Sequence, residues 1–322
     1  MLTASNILFD QTRIILNMPL LPAQHFLRMI DNDHWSLGDQ YLLSRATNPC
    51  DCAWSDGEGS FYRVTAATQA ALSLKPQTHF PVVHEAGKNS AHVIWKIGDA
   101  FLKLVIPHSP MTIREHVTLD AIKTMLPSGI TIPQVLLHGE WGGRYFLILK
   151  KVPGLTLHKA WPHMSPGLRS NCVQRVTELC SNLAKNTGKH ISGINGGHLP
   201  EFYLLKDDTE TDFTPSNLEA SSRDIGMDCS TLRFYHCDLG PGNVLVDLST
   251  EKIGVIDWEC AGYVPEVWIR TKFRVCSSMN LETSANCEEP HSKEEWRNLM
   301  QMSLGACGFA DAAESWREWD TA

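Results

Sequence analysis

The order of strand-like and helix-like patterns between residues 82 and 183 constrains the fold most. Short apolar or alternating runs, typical of strands, surround one stretch with apolar residues at helical spacing. Gly98 and Asp99 form a tight-turn signal between two of these runs, which are therefore predicted to form a hairpin. In chain order, the patterns predict strands at 82–83, 92–97 and 100–105, a helix at 113–126, and strands at 133–137 and 145–149.

After the turn at Pro153-Gly154, the sequence pattern changes from one typical of strands to one typical of helices. Apolar residues between Leu168 and Leu183 recur every three or four positions, as on the buried face of a helix. The stretch 186–231, rich in Gly, Ser, Asp and Thr, predicts loops and turns, and 293–319 is predicted to be helical. We therefore predict an α+β fold with a small β-rich lobe at 81–150 and a larger, mainly helical lobe at 151–322. An extension at 1–80 could pack on the small lobe.

Two eight-residue segments resemble each other. Residues 35–42 and 95–102 both carry Trp at the first position and Gly-Asp at the fourth and fifth, and both predict a hairpin. Coincidence and a duplicated element are both compatible with this likeness.

Composition narrows the class of protein. The 322 residues carry a net charge of −8 with no block of Lys or Arg, which argues against nucleic acid as a partner. No apolar run is long enough to span a membrane, and Asp10 and Arg13 interrupt the apolar N-terminus, which argues against a secretory signal. The ten cysteines are scattered, and Cys50-x-Cys52 has no second pair at zinc-ligand spacing. Free thiols and a cytoplasmic protein are expected.

The segment from His236 to Asn243 has the pattern H-x-D-x-x-x-x-N, and Asp257 follows Asn243 by fourteen residues at the end of an apolar run. Phosphoryl transfer requires positioned metal ions and an oriented acceptor hydroxyl. A loop Asp can accept the hydroxyl proton, while a second Asp and an Asn offer the hard oxygen ligands that Mg²⁺ prefers. We therefore predict Asp238 as the catalytic base and Asn243 and Asp257 as metal ligands.

A lysine within an apolar strand is the candidate phosphate clamp. Lys103 is costly to bury without a partner, and Glu115, twelve residues later, could supply one from the predicted helix. Lys96, in the preceding strand, competes for this role. Backbone amides in the turn at 85–91 could also contact phosphates.

Together these segments resemble the aminoglycoside phosphotransferase and choline kinase family, which has the protein-kinase-like fold. The similarity runs from about residue 81 to 273, and 254–266 looks like the fungal-type members. The resemblance implies that ATP and Mg²⁺ are cofactors and that His236 braces the catalytic loop without moving a proton. It further implies that phosphates meet Lys103, tied by Glu115, and the loop with Asn89 and Ser90, and that adenine meets backbone groups near Leu149 and Lys151.

The resemblance implies transfer of the ATP γ-phosphoryl group to a hydroxyl of a small molecule. The alternative is a catalytically inactive nucleotide-binding pseudokinase or interaction protein, although Lys103, Asp238, Asn243 and Asp257 are all present. A protein kinase is disfavoured, because Gly240 stands where Ser/Thr kinases place a Lys and no Ala-Pro-Glu follows Asp257.

Overall fold

The structure is a computed structural model, and it describes residues 23–49, 52–68, 83–86, 92–206, 211–282 and 292–322. The chain divides into two compact units: unit 1 comprises Met1–Pro110 and Gln134–Lys151, and unit 2 comprises Met111–Pro133 and Val152–Ala322. These units differ from the predicted ranges at two places. The described part of 1–80 belongs to unit 1, and 111–133, with the helix predicted for the small lobe, belongs to unit 2.

The described residues form strands and helices with the following bounds. The strands are β1 (Leu27–Met29), β2 (His34–Leu37), β3 (Tyr41–Ala46), β4 (Trp54–Ser55), β5 (Phe61–Ala66), β6 (Val83–Ala86), β7 (His92–Ile97), β8 (Ala100–Val105), β9 (Ile130–Thr131), β10 (Val135–Trp141), β11 (Arg144–Lys150), β12 (Leu155–Thr156), β13 (Thr187–Gly188), β14 (Ser192–Gly193), β15 (Leu232–His236), β16 (Val244–Val246), β17 (Ile253–Val255) and β18 (Ala261–Pro265). The helices are α1 (Glu115–Ile122), α2 (Leu157–Ala160), α3 (Pro166–Leu183), α4 (Pro215–Asp224), α5 (Trp268–Val275), α6 (Glu295–Ala306) and α7 (Ala313–Thr321).

Unit 1 consists of two five-stranded sheets, with strand orders β1-β2-β3-β5-β4 and β10-β11-β8-β7-β6. Both predicted hairpins are present. β2 pairs with β3 and β7 pairs with β8, all antiparallel. The turn glycines Gly38 and Gly98 have φ values of 55° and 58°, in the left-handed region that favours glycine.

The two sheets of unit 1 share one hydrophobic core, so the described part of the extension packs on the predicted small sheet. Each hairpin turn approaches the other sheet closely. A Cβ on Gly38 would lie 2.6 Å from the Trp141 ring, and one on Gly98 would lie 2.8 Å from the Ser55 carbonyl oxygen. The lack of a side chain at both turns therefore allows the sheets to approach each other.

Unit 2 contains all seven described helices and two four-stranded sheets, ordered β12-β16-β17-β9 and β13-β15-β18-β14. Helix α3 follows the predicted apolar stripe, and the Ser165 hydroxyl caps it by accepting the Leu168 N–H at 3.2 Å. Helix α1 begins two residues later than predicted, because a bridge between Thr112 and His198 holds the preceding residues extended, and it ends at Ile122, four residues earlier than predicted. Among the described residues, no helix has the length and apolar character needed to cross a membrane.

The described part of the stretch 186–231, which leaves out 207–210, contains more regular structure than the loop prediction suggested. It contains helix α4, whose sequence is rich in Ser, Asn and Asp, residues that favour turns over helix interiors. Burial of Leu218, Ser221 and Ser222 and Pro215 in the first turn stabilise the helix instead. The prediction of loops and turns was therefore wrong for residues 215–224.

Candidate active site

The loop between β15 and β16 carries the predicted catalytic base, and a buried histidine fixes its start. The Nε2–H of His236 donates to the Ile256 carbonyl oxygen at 3.0 Å, and its Nδ1 accepts the Asp238 backbone N–H at 3.2 Å. Burial lowers the His236 pKa, against the opposing effect of Asp238, and this favours the neutral ring that these two bonds require. His236 thus ties the loop to the segment before Asp257, which agrees with a bracing role.

Asn243 closes the same loop. Its side-chain Nδ2 donates to the carboxylate Oδ2 of Asp238 at 2.8 Å and to the Asp238 carbonyl oxygen at 2.9 Å. These bonds use the amide nitrogen, so the amide oxygen is the atom of Asn243 with the chemistry of a metal ligand. The structure therefore brings two of the predicted site residues into direct contact.

The hairpin of β16 and β17 brings Asp257 to the same region of unit 2. Val244 lies opposite Val255, and the Ile256 N–H donates to the Asn243 carbonyl oxygen at 3.0 Å. Asp257 follows directly in the left-handed conformation, with φ 67° and ψ 56°, which Asp tolerates better than most residues. The 3₁₀ turn Trp258–Cys260 begins there, and the buried Trp258 indole N–H donates to the Val255 carbonyl oxygen at 3.0 Å.

Three carboxylates meet beside this turn. One ligand oxygen from each of Glu115, Asp257 and Glu259 lies within 4.8 Å of the others, and Glu115 is 2% exposed. Glu115 also accepts the Trp258 backbone N–H at 3.2 Å, which fixes α1 to the turn. Carboxylates this close repel one another unless a proton or a cation lies between them, and their hard oxygens suit Mg²⁺. This donor set fits a magnesium ion.

Glu259 was missed as a site residue by the sequence analysis. Its signal was its position two residues after Asp257, and the structure brings the two carboxylates together where Asp257 leads into the 3₁₀ turn. Glu115 was predicted as the partner of Lys103. The two residues belong to different units, so that pairing remains a prediction.

The residues predicted to contact nucleotide lie mainly in unit 1. Lys103 lies on β8 opposite Ile94 and Leu147, and Leu149 is buried on β11. The Lys151 backbone N–H donates to the Asp99 carbonyl oxygen at 2.8 Å, so this amide is already used and an adenine contact at Lys151 would require another atom. The predicted phosphate-loop residues Asn89 and Ser90 lie outside the described residues.

Comparison with known proteins gives one family match. Residues 216–267 match the model of the phosphotransferase enzyme family (APH). This segment contains most of α4, the loop with Asp238 and Asn243, and the Asp257 turn. A comparison with curated proteins found no match.

The chain is also similar to solved structures of aminoglycoside phosphotransferases. For APH(3'')-Id from Streptomyces rimosus, identity is 15%, coverage is 74% of this chain and 90% of that one, and the TM-score is 0.47. For an aminoglycoside-3'-phosphotransferase of type VIII, the corresponding values are 18%, 74%, 92% and 0.48. For APH(2")-IIa in a ternary complex with streptomycin and ATP, they are 12%, 75%, 83% and 0.46.

None of these findings concerns the fungal branch predicted from residues 254–266. The segment that matches the family is also the segment in which hydrogen bonds join Asp238 to Asn243 and Asn243 to Ile256, the residue before Asp257. The predicted resemblance is confirmed over residues 216–267, which match the model of the phosphotransferase enzyme family.

Proposed function

We propose that the protein is an ATP- and Mg²⁺-dependent kinase of a small molecule, with the two-lobed protein-kinase-like fold. The observation that supports this most is the contact between the Asn243 amide and the Asp238 carboxylate, within a loop bonded to the strand before Asp257. If Asp238 and Asn243 were ordinary turn residues without a shared function, nothing would require their side chains to be in contact. The family match over the same residues supports the same reaction class.

Asp238 would act as the base. The acceptor hydroxyl oxygen forms a bond to the γ-phosphorus of ATP while the bond from that phosphorus to the bridging oxygen breaks. The hydroxyl proton passes to the Asp238 carboxylate, and ADP leaves with the electron pair of the broken bond. The Asn243 Nδ2–H bond to Oδ2 would hold the carboxylate so that its other oxygen faces the acceptor.

Asn243, through its amide oxygen, and Asp257 would hold Mg²⁺, and Glu115 and Glu259 are further carboxylates close to Asp257. When bound, the ion would neutralise charge on the phosphate oxygens. Lys103, Glu115, Leu149, Lys151, Asn89 and Ser90 keep their predicted roles toward the nucleotide as part of this proposal.

The acceptor class is a hydroxyl of a small molecule, and the proposed compartment is the cytoplasm. Eight described cysteines are free thiols, which is typical of proteins in a reducing compartment.

A screen of phosphate transfer from MgATP to a panel of hydroxylated metabolites tests the proposal. Asp238→Asn should lower turnover by about 100-fold or more, because an amide does not take the proton. The matched control is Asp228→Asn, an exposed Asp that caps its own turn by accepting the Ser230 N–H at 2.8 Å. Full activity in Asp238→Asn would reject Asp238 as the base.

The same screen, combined with a measurement of nucleotide binding, distinguishes an active kinase from the pseudokinase alternative. A ligand that binds only the folded state stabilises it by RT ln(1 + [L]/Kd), so the wild type should melt at a higher temperature with millimolar MgATP. A melting shift without transfer to any acceptor or to water would favour a non-catalytic nucleotide-binding protein. Absence of both would contradict the proposed function.

A further inference from the structure

The loop that carries Asp238 is held by hydrogen bonds from remote elements of unit 2. Residues 237–243 lie between β15 and β16 and belong to neither strand, so no ladder of regular hydrogen bonds fixes their backbone. Leu239, Gly240 and Pro241 are nevertheless buried, and a buried carbonyl needs a donor. The carbonyl oxygens of Leu239 and Pro241 both accept from residues outside the loop.

The first of these donors is an indole on α6. The Trp296 N–H donates to the Leu239 carbonyl oxygen at 3.4 Å, one residue after the proposed base. Trp296 is the second residue of α6 and is fully buried. The Pro241 carbonyl oxygen accepts the His158 backbone N–H at 3.3 Å. Of these two donors, only that of Trp296 belongs to a side chain, which a substitution can remove.

The Trp296 ring is fixed by the aromatic side chains around it. Its centre lies 6.0 Å from that of Trp161 and 6.5 Å from that of Phe273, with interplanar angles of 77° and 71°. Both neighbours are fully buried, and such edge-to-face contacts are the favoured geometry of aromatic pairs. Because a close-packed interior leaves little room for reorientation, this packing sets the direction of the Trp296 N–H.

Arg169 of α3 joins the two ends of this aromatic group. Its guanidinium lies 5.2 Å from the centre of the Trp161 ring and donates to the Trp161 carbonyl oxygen at 3.0 Å. It also donates to the carboxylate of Glu295, the residue before Trp296, at 3.2 Å. The start of α6 is therefore held by α3, independently of the loop that Trp296 contacts.

Trp161 provides an internal comparison for the Trp296 hydrogen bond. Both rings are fully buried, but the Trp161 indole N–H has no hydrogen-bond partner among the described residues. Burial in this core therefore does not by itself supply a partner, whereas the Trp296 N–H meets the loop. Without that N–H, the buried Leu239 carbonyl would lose its donor, which is costly, and the loop would have to open toward water to replace it.

We propose that Trp296 is a positioning residue, whose indole N–H holds the Leu239 carbonyl and thereby keeps the Asp238 carboxylate in place beside Asn243. The inference rests on the proposed function, because the loop carries the proposed base. Trp296 does not touch the reacting atoms in this scheme. It gives α6, which lies outside the residues that match the family model, a part in the reaction.

Hydrogen exchange of the full chain tests the loop and does not depend on activity. The backbone N–H groups of Asp238 and Asn243 donate to His236 Nδ1 and to the Gly240 carbonyl oxygen, so their exchange reports opening of the loop. Replacing Trp296 by β-(3-benzothienyl)alanine puts sulfur in place of the N–H and keeps the size of the ring. It should speed exchange of these two amides by about tenfold and leave β7 and β8 at wild-type rates.

The matched control is the same replacement at Trp161, which removes an N–H without a partner among the described residues and should leave loop exchange unchanged. Trp316→Phe is a second control, because the indole N–H that it removes donates to the Tyr203 carbonyl oxygen at 2.7 Å, outside the loop. Wild-type exchange of the loop after the replacement at Trp296 would overturn the proposal, as would equal acceleration by the replacement at Trp161. If the first protein does not fold, Trp296→Phe decides by the same criteria.

Turnover of MgATP to ADP, with water as the acceptor, provides the second readout. The replacement at Trp296 should lower kcat by about tenfold with KM for ATP within about threefold, because a misplaced base impairs the reaction more than nucleotide binding. An unchanged kcat per folded molecule would contradict the inference alone. No turnover and no nucleotide binding in the wild type would contradict the proposed function, while the exchange data would still show whether Trp296 holds the loop.

Discussion

At the scale of single residues, hydrogen bonds decide which atom of each site residue is available for chemistry. Asn243 uses its nitrogen on Asp238, and His236 uses one nitrogen as donor and the other as acceptor. The sequence pattern identified these residues correctly as neighbours. The pattern could not give the orientation of the two side chains. Their hydrogen-bond partners, Ile256 and Asp238, lie in different segments, and only the folded geometry decides which atom donates and which accepts.

His158 offers a pH-dependent test at this scale. Its Nδ1 accepts the Glu282 backbone N–H at 3.0 Å, and its backbone N–H donates to the Pro241 carbonyl oxygen at 3.3 Å. Burial lowers the His158 pKa, against the opposing charge of Glu282. The folded state therefore binds a proton less readily than the unfolded state, whose His pKa is about 6.5, and stability is lost as pH falls through about 6.5 toward the lower pKa of the folded state.

Replacing His158 by Asn should reduce this loss, because the Asn oxygen can accept the same N–H but does not titrate. Urea unfolding at several pH values measures the effect as the free energy of unfolding of wild type minus variant. This difference should decrease on acidification, whereas the exposed His163→Asn control should show no such change. If the free energies of unfolding of wild type and His158→Asn changed with pH in parallel, His158 would not be the source of the loss and the prediction would be wrong.

At the scale of elements, the segment after α5 packs directly on the catalytic loop, and Gly240 makes this possible. Gly240→Ala would place a methyl group 2.8 Å from the Ser278 carbonyl oxygen. The backbone would have to shift, so we expect a loss of about 1–3 kcal/mol in the free energy of unfolding and a lower kcat. Denaturant unfolding and ATP turnover measure the two effects.

Gly167→Ala is the matched control for this prediction. Gly167 lies in the first turn of α3, and a methyl group added there would have the Ser165 hydroxyl oxygen as its nearest neighbour, at 3.9 Å. The substitution should be neutral or stabilise by up to about 1 kcal/mol, because Ala loses less backbone entropy than Gly on folding. Equal losses in both variants would show that the Ser278 contact has no special importance.

The sequence predicted elements well where local pattern and tertiary environment agree. Strands β7 and β8 have the predicted bounds, because alternating apolar residues and a Gly-Asp turn specify a hairpin locally. Helix α4 was missed because its residues favour turns, and it is stabilised by burial of one face together with Pro215 in the first turn. Helix α1 begins late because His198, remote in sequence, bonds to the residues before it.

At the scale of the whole molecule, contacts between remote segments were the least predictable. The carboxylate cluster joins α1 to a turn more than 130 residues later, and Glu201 and Lys272, which form a buried ion pair, are 71 residues apart. The contact of Gly38 with Trp141, which packs the extension on the second sheet, also joins residues that are remote in the sequence. The spacing of residues along the sequence does not predict contacts between such remote segments. The loop with Asp238 and Asn243 could be predicted because both residues lie within a few positions of each other.

The cysteines of unit 2 provide a test of the stability of the folded chain. A thiolate is the reactive form, and burial raises the pKa of both Cys172 and Cys180 to about 12. These two thiols should therefore react with N-ethylmaleimide only when the protein unfolds, while the exposed Cys307 reacts in the native state. Because a folded domain is stable by about 5 kcal/mol or more, labelling of the two buried thiols should be at least about a thousandfold slower than that of Cys307.

Peptide mapping by mass spectrometry assigns each labelled cysteine, and Cys307→Ser removes the fast reaction as a control. Adding urea should accelerate the labelling of Cys172 and Cys180 together, along the unfolding curve measured by fluorescence, because both belong to the core packed around α3. Labelling of either thiol at the rate of Cys307 in the native protein would mean that this core opens locally.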